Sequence, residues 1–208
     1  MRKLVLKMSV SLDGFVGGEN GEVDWVFRNW DVEAATWTVD TLWRAGLHVM
    51  GSRTFRDMAS YWPSSTEPFA APMNEIPKVV FSRSGQIASP DLTTRALSDA
   101  RAQATGRTDV PAVESWTAPR VATGDLAEEV ARLKQEPGKD ILAHGGARFA
   151  QSLIKLGLVD EYRLLVHPVA LGRGLPLFSA LTRPLDLDLV EAKVFGGGAI
   201  AHVFRPRR

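Results

Sequence analysis

The feature that most constrains this chain is a repeated switch of hydrophobic period, from short apolar runs to helix-spaced stripes and back. Leu4 to Val10 reads as a strand closing on Asp13-Gly14, a turn signal. Val32, Ala35, Val39, Leu42 and Trp43 then fall on one helical stripe, with Asp31 placed to cap its start and Gly46 to stop it. Leu47 to Met50 is a second strand, Arg53 to Ser60 a helix, and Lys78 to Ser82 a third strand. Asp125 and Glu128 mark the start of another helix, with Leu126, Val130 and Leu133 as its buried stripe and Pro137-Gly138 as its end. Asp140 to His144 is a strand, Ala147 to Leu156 a helix stopped by Gly157, and Tyr162 to His167 a strand. Leu185 to Phe195 and Ala199 to Arg205 alternate with period two around Gly196-Gly197-Gly198, which predicts a hairpin.

Strands that alternate with helices must lie mostly parallel, because each crossover returns the chain to the same end of the sheet. The expectation is a three-layer α/β fold over residues 1–208, with helices on both faces of a mostly parallel sheet and an antiparallel hairpin at one edge. One stretch breaks the rhythm. Residues 84–112 hold only Ile87, Leu92, Leu97 and Val110 as large apolar residues and no aromatic, so they read as an inserted loop. A tolerated surface insertion is the better reading of it, and a functional lid the sharper one.

Composition removes several classes of function. The charge is nearly balanced, 25 basic against 24 acidic residues, which argues against nucleic acid or a membrane surface as the main partner. With no cysteine, thiolate catalysis, Fe–S ligation, disulfides and Cys-type zinc sites are excluded. His48, His144, His167 and His202 lack ligand spacing, so no metal site is expected. The apolar run at the start ends at Lys7, too short for a signal-peptide core, and no stretch reaches the ~20 residues of a membrane span. A cytoplasmic protein is the expectation.

Chemistry in open α/β sheets collects beyond the carboxyl ends of strands, where helix N-termini present unpaired N–H groups. Two junctions have suitable residues. Gly51 allows close backbone approach, Ser52 and Thr54 can cap the helix or bind phosphate, and Arg53 adds a charge. Gly145-Gly146-Ala147-Arg148 places two glycines between a strand and a helix, either as a pyrophosphate cradle or as a plain tight turn. Ser82-Arg83 can meet a second phosphate or be an ordinary loop pair. Asp13 can serve as a general acid or simply cap its turn. Trp25 can stack on a planar heterocycle or plug the core. Trp37 and Trp43 read as core, and His144 and His167 as satisfied core histidines.

Taken in order, these pieces resemble the dihydrofolate reductase-like superfamily, and within it the reductase domain of the bacterial riboflavin-biosynthesis deaminase-reductase. The resemblance is carried by Ser9-Val10-Ser11-Leu12-Asp13-Gly14-Phe15, Met50-Gly51-Ser52-Arg53-Thr54-Phe55, Tyr61-Trp62-Pro63, Lys78 to Arg83, Gly124-Asp125-Leu126, Asp140 to Gly146, Leu158 to Arg163 and His167 to Phe178. It implies a sheet of about eight strands and NADPH lying extended across the strand ends. It also implies cofactor contacts from Gly51, Ser52, Arg53, Thr54, Ser82, Arg83, Gly145, Gly146, Ala147 and Arg148, and a homodimer. The substrate implied is a small planar heterocycle, pterin- or pyrimidine-like, reduced by hydride transfer. Asp24 and Trp25 are the residues assigned to its pocket. Asp24, Asp31 and Asp40 are all candidates for the acid that recognises a pteridine in this superfamily. The alternative from a different class is a nucleotide-binding or dimerising module without turnover.

Overall fold

The computed structural model describes residues 1–29, 31–87 and 115–207. Eight strands form one sheet: β1 Leu4–Ser11, β2 Ala45–Gly51, β3 Lys78–Phe81, β4 Arg120–Ala122, β5 Asp140–Ala143, β6 Glu161–His167, β7 Leu187–Val194 and β8 Ile200–Pro206. Their order is β4-β3-β2-β5-β1-β6-β8-β7. The six strands β1 to β6 run parallel, and β8 and β7 close the sheet as an antiparallel hairpin. All parallel strands therefore end along one edge, and β5 lies between β2 and β1, so the two glycine junctions leave neighbouring strands.

Five labelled helices cover the sheet: α1 Val32–Trp43, α2 Ser52–Ala59, α3 Ala70–Glu75, α4 Leu126–Gln135 and α5 Ala147–Lys155. Side chains alternate across a strand, so each strand contributes to both faces. Leu4, Leu6, Met8 and Val10 of β1 pack with Val130 and Leu133 of α4 and Leu153 and Ile154 of α5. Val5 of β1 and Leu142 of β5 face the other way, against Leu42 of α1, Phe55 of α2 and Met73 of α3. Phe55 has no exposed surface, and burying such a ring contributes about 2–3 kcal/mol.

Most element types match the sequence reading; several details do not. The buried stripe of α1 is Ala34, Thr38, Thr41 and Leu42, while Val32 and Trp43 are exposed. Two threonines sit inward because the sheet face beneath them is polar: Arg163 of β6 donates to the Thr41 hydroxyl at 3.3 Å. Trp37 packs as expected, partly buried against Phe195. Gly46 lies inside β2 and does not stop α1. The Asp31 cap is found, accepting from the Ala34 N–H, and Asp125 caps α4 through Ala127 and Glu128. The strand β4 and the helix α3 carry no clear period in the sequence. Beyond residues 84–87, the expected insertion at 84–112 lies outside the described residues. Among those described, no helix is long and apolar enough to cross a membrane.

Candidate functional site

The two junctions converge. Val49 of β2 is level with Ala143 of β5, so Gly51 and Gly145, two residues further on, leave the sheet side by side. A β-carbon on Gly51 would lie 3.6 Å from that of Phe149, and one on Gly146 only 2.5 Å from the Thr54 hydroxyl. Gly146 also holds φ +103°, a left-handed conformation that side chains resist. The starts of α2 and α5 thus share one crevice in which backbone, not side chain, forms the surface.

Their caps differ from those of the two other long helices, α1 and α4. Helices α1 and α4 are capped by aspartate and carry acids in the first turn. Helices α2 and α5 start at glycine, have no side-chain cap and no first-turn acid, and place Arg53 and Arg148 there instead. Ser52 and Thr54 therefore do not cap α2, contrary to expectation, because Ser52 is already the first helical residue. Cations at a helix start oppose its dipole. The N–H groups and arginines together suit a polyanion, and among the described residues no side chain caps either helix start. Residues Ala147 and Arg148 open α5, the first buried and the second exposed. Next along the edge, Gly51 pairs with Phe81, which brings Ser82 and Arg83 alongside. Ser82 is buried and donates to the Gln86 carbonyl at 2.7 Å, which fixes the turn, and Arg83 is exposed. The fit to a dinucleotide phosphate is therefore a fit of backbone cradle and charge.

Asp13 sits at the end of β1 and spans two loops. Its carboxylate accepts from the Ser11 hydroxyl at 2.6 Å and from the Leu171 and Gly172 N–H groups at 3.1 and 2.7 Å. The Ser11 bond and then the Gly172 bond hold its pKa down to about 2. At neutral pH it is an anion that ties loop 171–172 to the first strand, a poor proton donor. Beside it, residues Gly18, Glu19, Asn20, Glu22, Leu171, Gly172 and Arg173 line an open depression of about 540 Å³.

None of the three aspartates considered for pteridine recognition points inward. Asp24 is exposed and pairs with Arg28 at 3.1 Å. Asp31 caps α1 and accepts from the Gly197 N–H at 2.7 Å, and Asp40 is exposed. Trp25 is 3% exposed. Its indole N–H bonds the Glu22 carbonyl, and its ring meets His167 edge-on at 5.4 Å. Of the two readings for Trp25, the core plug is the one seen.

The polar residues that do face α1 were not singled out by the sequence reading as a group. Lys7 of β1 lies on the face opposite Leu6 and Met8, beside His144 at the end of β5 and Arg163 of β6. His144 packs edge-on against His48 at 4.4 Å. Among the described residues, neither nitrogen of His48 or His167 has a hydrogen-bond partner, and neither has Nε2 of His144. The expectation of satisfied core histidines is corrected on this point. Burial, then Lys7, pushes His144 down to about 3 and His167 to about 4, while burial takes Lys7 to about 8. Among the described residues Lys7 has no ion pair and no hydrogen bond. A lysine in the run Leu4-Val5-Leu6-Lys7-Met8 was the available signal.

Comparison with known proteins follows the same outline. The chain is 33% identical to the uncharacterized protein YyaP of Bacillus subtilis strain 168, over 98% of this chain and 94% of that one. A putative riboflavin biosynthesis protein from Shewanella sp. PV-4 shares the fold at TM-score 0.68 and 20% identity, covering 99% of each chain. A pyrimidine reductase-like protein from Corynebacterium diphtheriae does so at TM-score 0.64 and 18% identity, over 100% of this chain and 92% of that chain. Residues 2–201 match the RibD C-terminal domain, and the chain belongs to that family.

Proposed function

We propose that this chain is a cytoplasmic NADPH-dependent reductase of a small planar heterocycle, pterin- or pyrimidine-like. One observation carries the reading: α2 and α5, alone among the longer described helices, start side by side without acidic caps and with arginines in their first turns. Bound there, the cofactor would supply the hydride. The N–H groups after Gly51 and Gly146 would hold its pyrophosphate, and Arg53 and Arg148 would neutralise it. Arg83, beyond β3, would meet the phosphate monoester that distinguishes NADPH from NADH. Lys7, half-buried on the face toward α1, is the group best placed to deliver a proton to reduced substrate.

Ligand-induced stabilisation tests this. NADPH at a hundred times its Kd should stabilise the fold by about 2.7 kcal/mol, NADH at the same concentration far less, and Arg53→Ala and Arg83→Ala should weaken the NADPH response. Equal responses to the two nucleotides would overturn the cofactor assignment.

A second reading, a nucleotide-binding or dimerising module without turnover, draws on the absence of an inward-facing carboxylate among Asp24, Asp31 and Asp40. NADPH binding with no oxidation across pterins, flavins and pyrimidines would favour it. A homodimer is proposed for either case. The outer strand β7 exposes Leu189, Val190 and Val194 and, among the described residues, has no strand neighbour on its free edge, and such an edge calls for cover. Val190→Lys with Val194→Glu should shift the mass measured by light scattering from dimer to monomer.

A further inference from the structure

Lys78 opens β3 and is 3% exposed, yet no carboxylate among the described residues pairs with it. Its Nζ donates to the Ile76 carbonyl and the Ser115 hydroxyl, both at 2.8 Å, and lies 4.1 Å from the centre of the Trp116 ring. Asn74 of α3 ties the same residues together. Its backbone carbonyl accepts from the Ser115 hydroxyl, its side-chain oxygen accepts from the Trp116 indole at 2.8 Å, and its amide donates to the Trp62 carbonyl. Trp116 has no exposed surface and meets Phe55 of α2 at 5.5 Å. Residues 115–117 are thus strapped to α3 and to the start of β3 by polar contacts that converge on one lysine. The strap leads directly into β4, whose three residues pair with Val79, Val80 and Phe81. The Ala122 carbonyl then accepts from the Ser82 N–H at 3.0 Å. Whatever loosens the strap loosens the support of the turn that carries Ser82 and Arg83.

The surroundings say what loosens it. His48 of β2 is level with Lys78, and His144 and then Lys7 follow along the same face. Both histidines are held neutral, chiefly by burial and in part by the Lys78 charge itself. From α3 comes the Asn74 amide, while Glu75 is exposed. From α2 comes Phe55, and from the strap Ser115, Trp116 and Thr117, none of them ionisable. Arg120 of β4 is engaged by Glu136. No anion in this set offsets an ammonium at Lys78. A neutral amine has two N–H groups, which match the two acceptors present, whereas the third proton of an ammonium finds only the indole face. That face attracts a cation, but loss of water outweighs it and takes Lys78 down to about 7.

We propose that Lys78 is a proton-operated latch: its neutral amine fastens residues 115–117 to α3 and β3, and protonation releases them and, with them, β4 from beside the Ser82-Arg83 turn. The latch is a property of the fold; only its effect on the nucleotide rests on the reductase reading. Once exposed, the lysine titrates near 10.4. Its folded value lies lower, so the closed strap is strongest at high pH and weakens as pH falls toward 7. Between pH 9 and pH 7 the ratio of closed to open strap should fall about fiftyfold. A nucleotide phosphate that needs Arg83 in place would oppose the opening.

Native-state hydrogen exchange of the β4 amides, residues 120–122, measures the opening where reclosing outpaces exchange. Exchange from an open amide is base-catalysed and slows about a hundredfold from pH 9 to pH 7, so a fiftyfold rise in opening nearly cancels it. The wild-type rate should therefore fall only about twofold over that interval. In Lys78→Met, which has no proton to take up, it should fall about a hundredfold. A hundredfold fall in the wild type overturns the latch, and this series decides the matter even if Lys78→Met does not fold. Adding NADPH at pH 7 should slow the β4 amides of the wild type at least tenfold. If NADPH raises the melting temperature but leaves these amides unchanged, the link between latch and nucleotide fails. If NADPH does neither while the wild-type rate still falls only twofold, the reductase reading fails and the latch stands.

Discussion

Lowering the pH from about 7.5 to about 5 should destabilise this protein far more steeply than its balanced charge would suggest. His48, His144 and His167 are 0%, 5% and 4% exposed. In the folded state each is held neutral, with His144 near 3, His167 near 4 and His48 well below 6.5. In the unfolded chain they titrate near 6.5. Between those values the unfolded state binds more protons, so stability rises with pH there and is lost as pH falls below 6.5. At pH 5 the unfolded chain gains about 2 kcal/mol for each of His144 and His167, whose folded values lie below that pH. These two give about 4 kcal/mol, a large part of the 5–15 kcal/mol typical of a domain, and His48 adds to it in the same direction. Urea unfolding at the two pH values measures the loss directly. The variant His48→Leu isolates the cause. It removes one titrating group and two unpartnered nitrogens from the most buried position, and should lose measurably less stability over the same interval. If wild type and variant lose the same amount, the buried histidines are not the source, and the reasoning from their burial fails.

Gly146→Ala should cost about 1–3 kcal/mol, because it forces a side chain into φ +103° and against the Thr54 hydroxyl; thermal unfolding would show it, together with a weakened response to NADPH. Glu161→Gln should destabilise by about 2–3 kcal/mol in urea titrations. The carboxylate is 4% exposed and serves Arg163, Arg205 and Lys3, though the last two are themselves half-exposed and so screened. Asp13→Ala should release loop 171–172 and appear as new proteolytic cleavage there. The acid limb of any pH–rate profile should not report Asp13, whose carboxylate is ionised from about pH 2 upward.

The alternation of apolar runs and helix-spaced stripes was sufficient for the layered sheet, the terminal hairpin and the placing of both glycine junctions at the carboxyl ends of strands. These follow from period and turn chemistry, which are local. The Asp31 and Asp125 caps were legible for the same reason. Other features depend on what a side chain meets across the sheet. Nothing near Val32 or Trp43 in sequence says that α1 turns Thr38 and Thr41 inward; the polar strand face beneath it does. Asp13 is tied up because Leu171 and Gly172, more than 150 residues away, bring their N–H groups to it. Lys7 and His144 look like isolated residues in apolar strands until the pairing of β1 with β5 sets them next to one another. Sequence by itself determined which strand ends carry the glycine junctions and the arginine-bearing helix starts, since these act through adjacent backbone. Only the tertiary structure decided which polar groups are buried together on the sheet face beneath α1, because partners and desolvation there are contributed by strands remote in the chain.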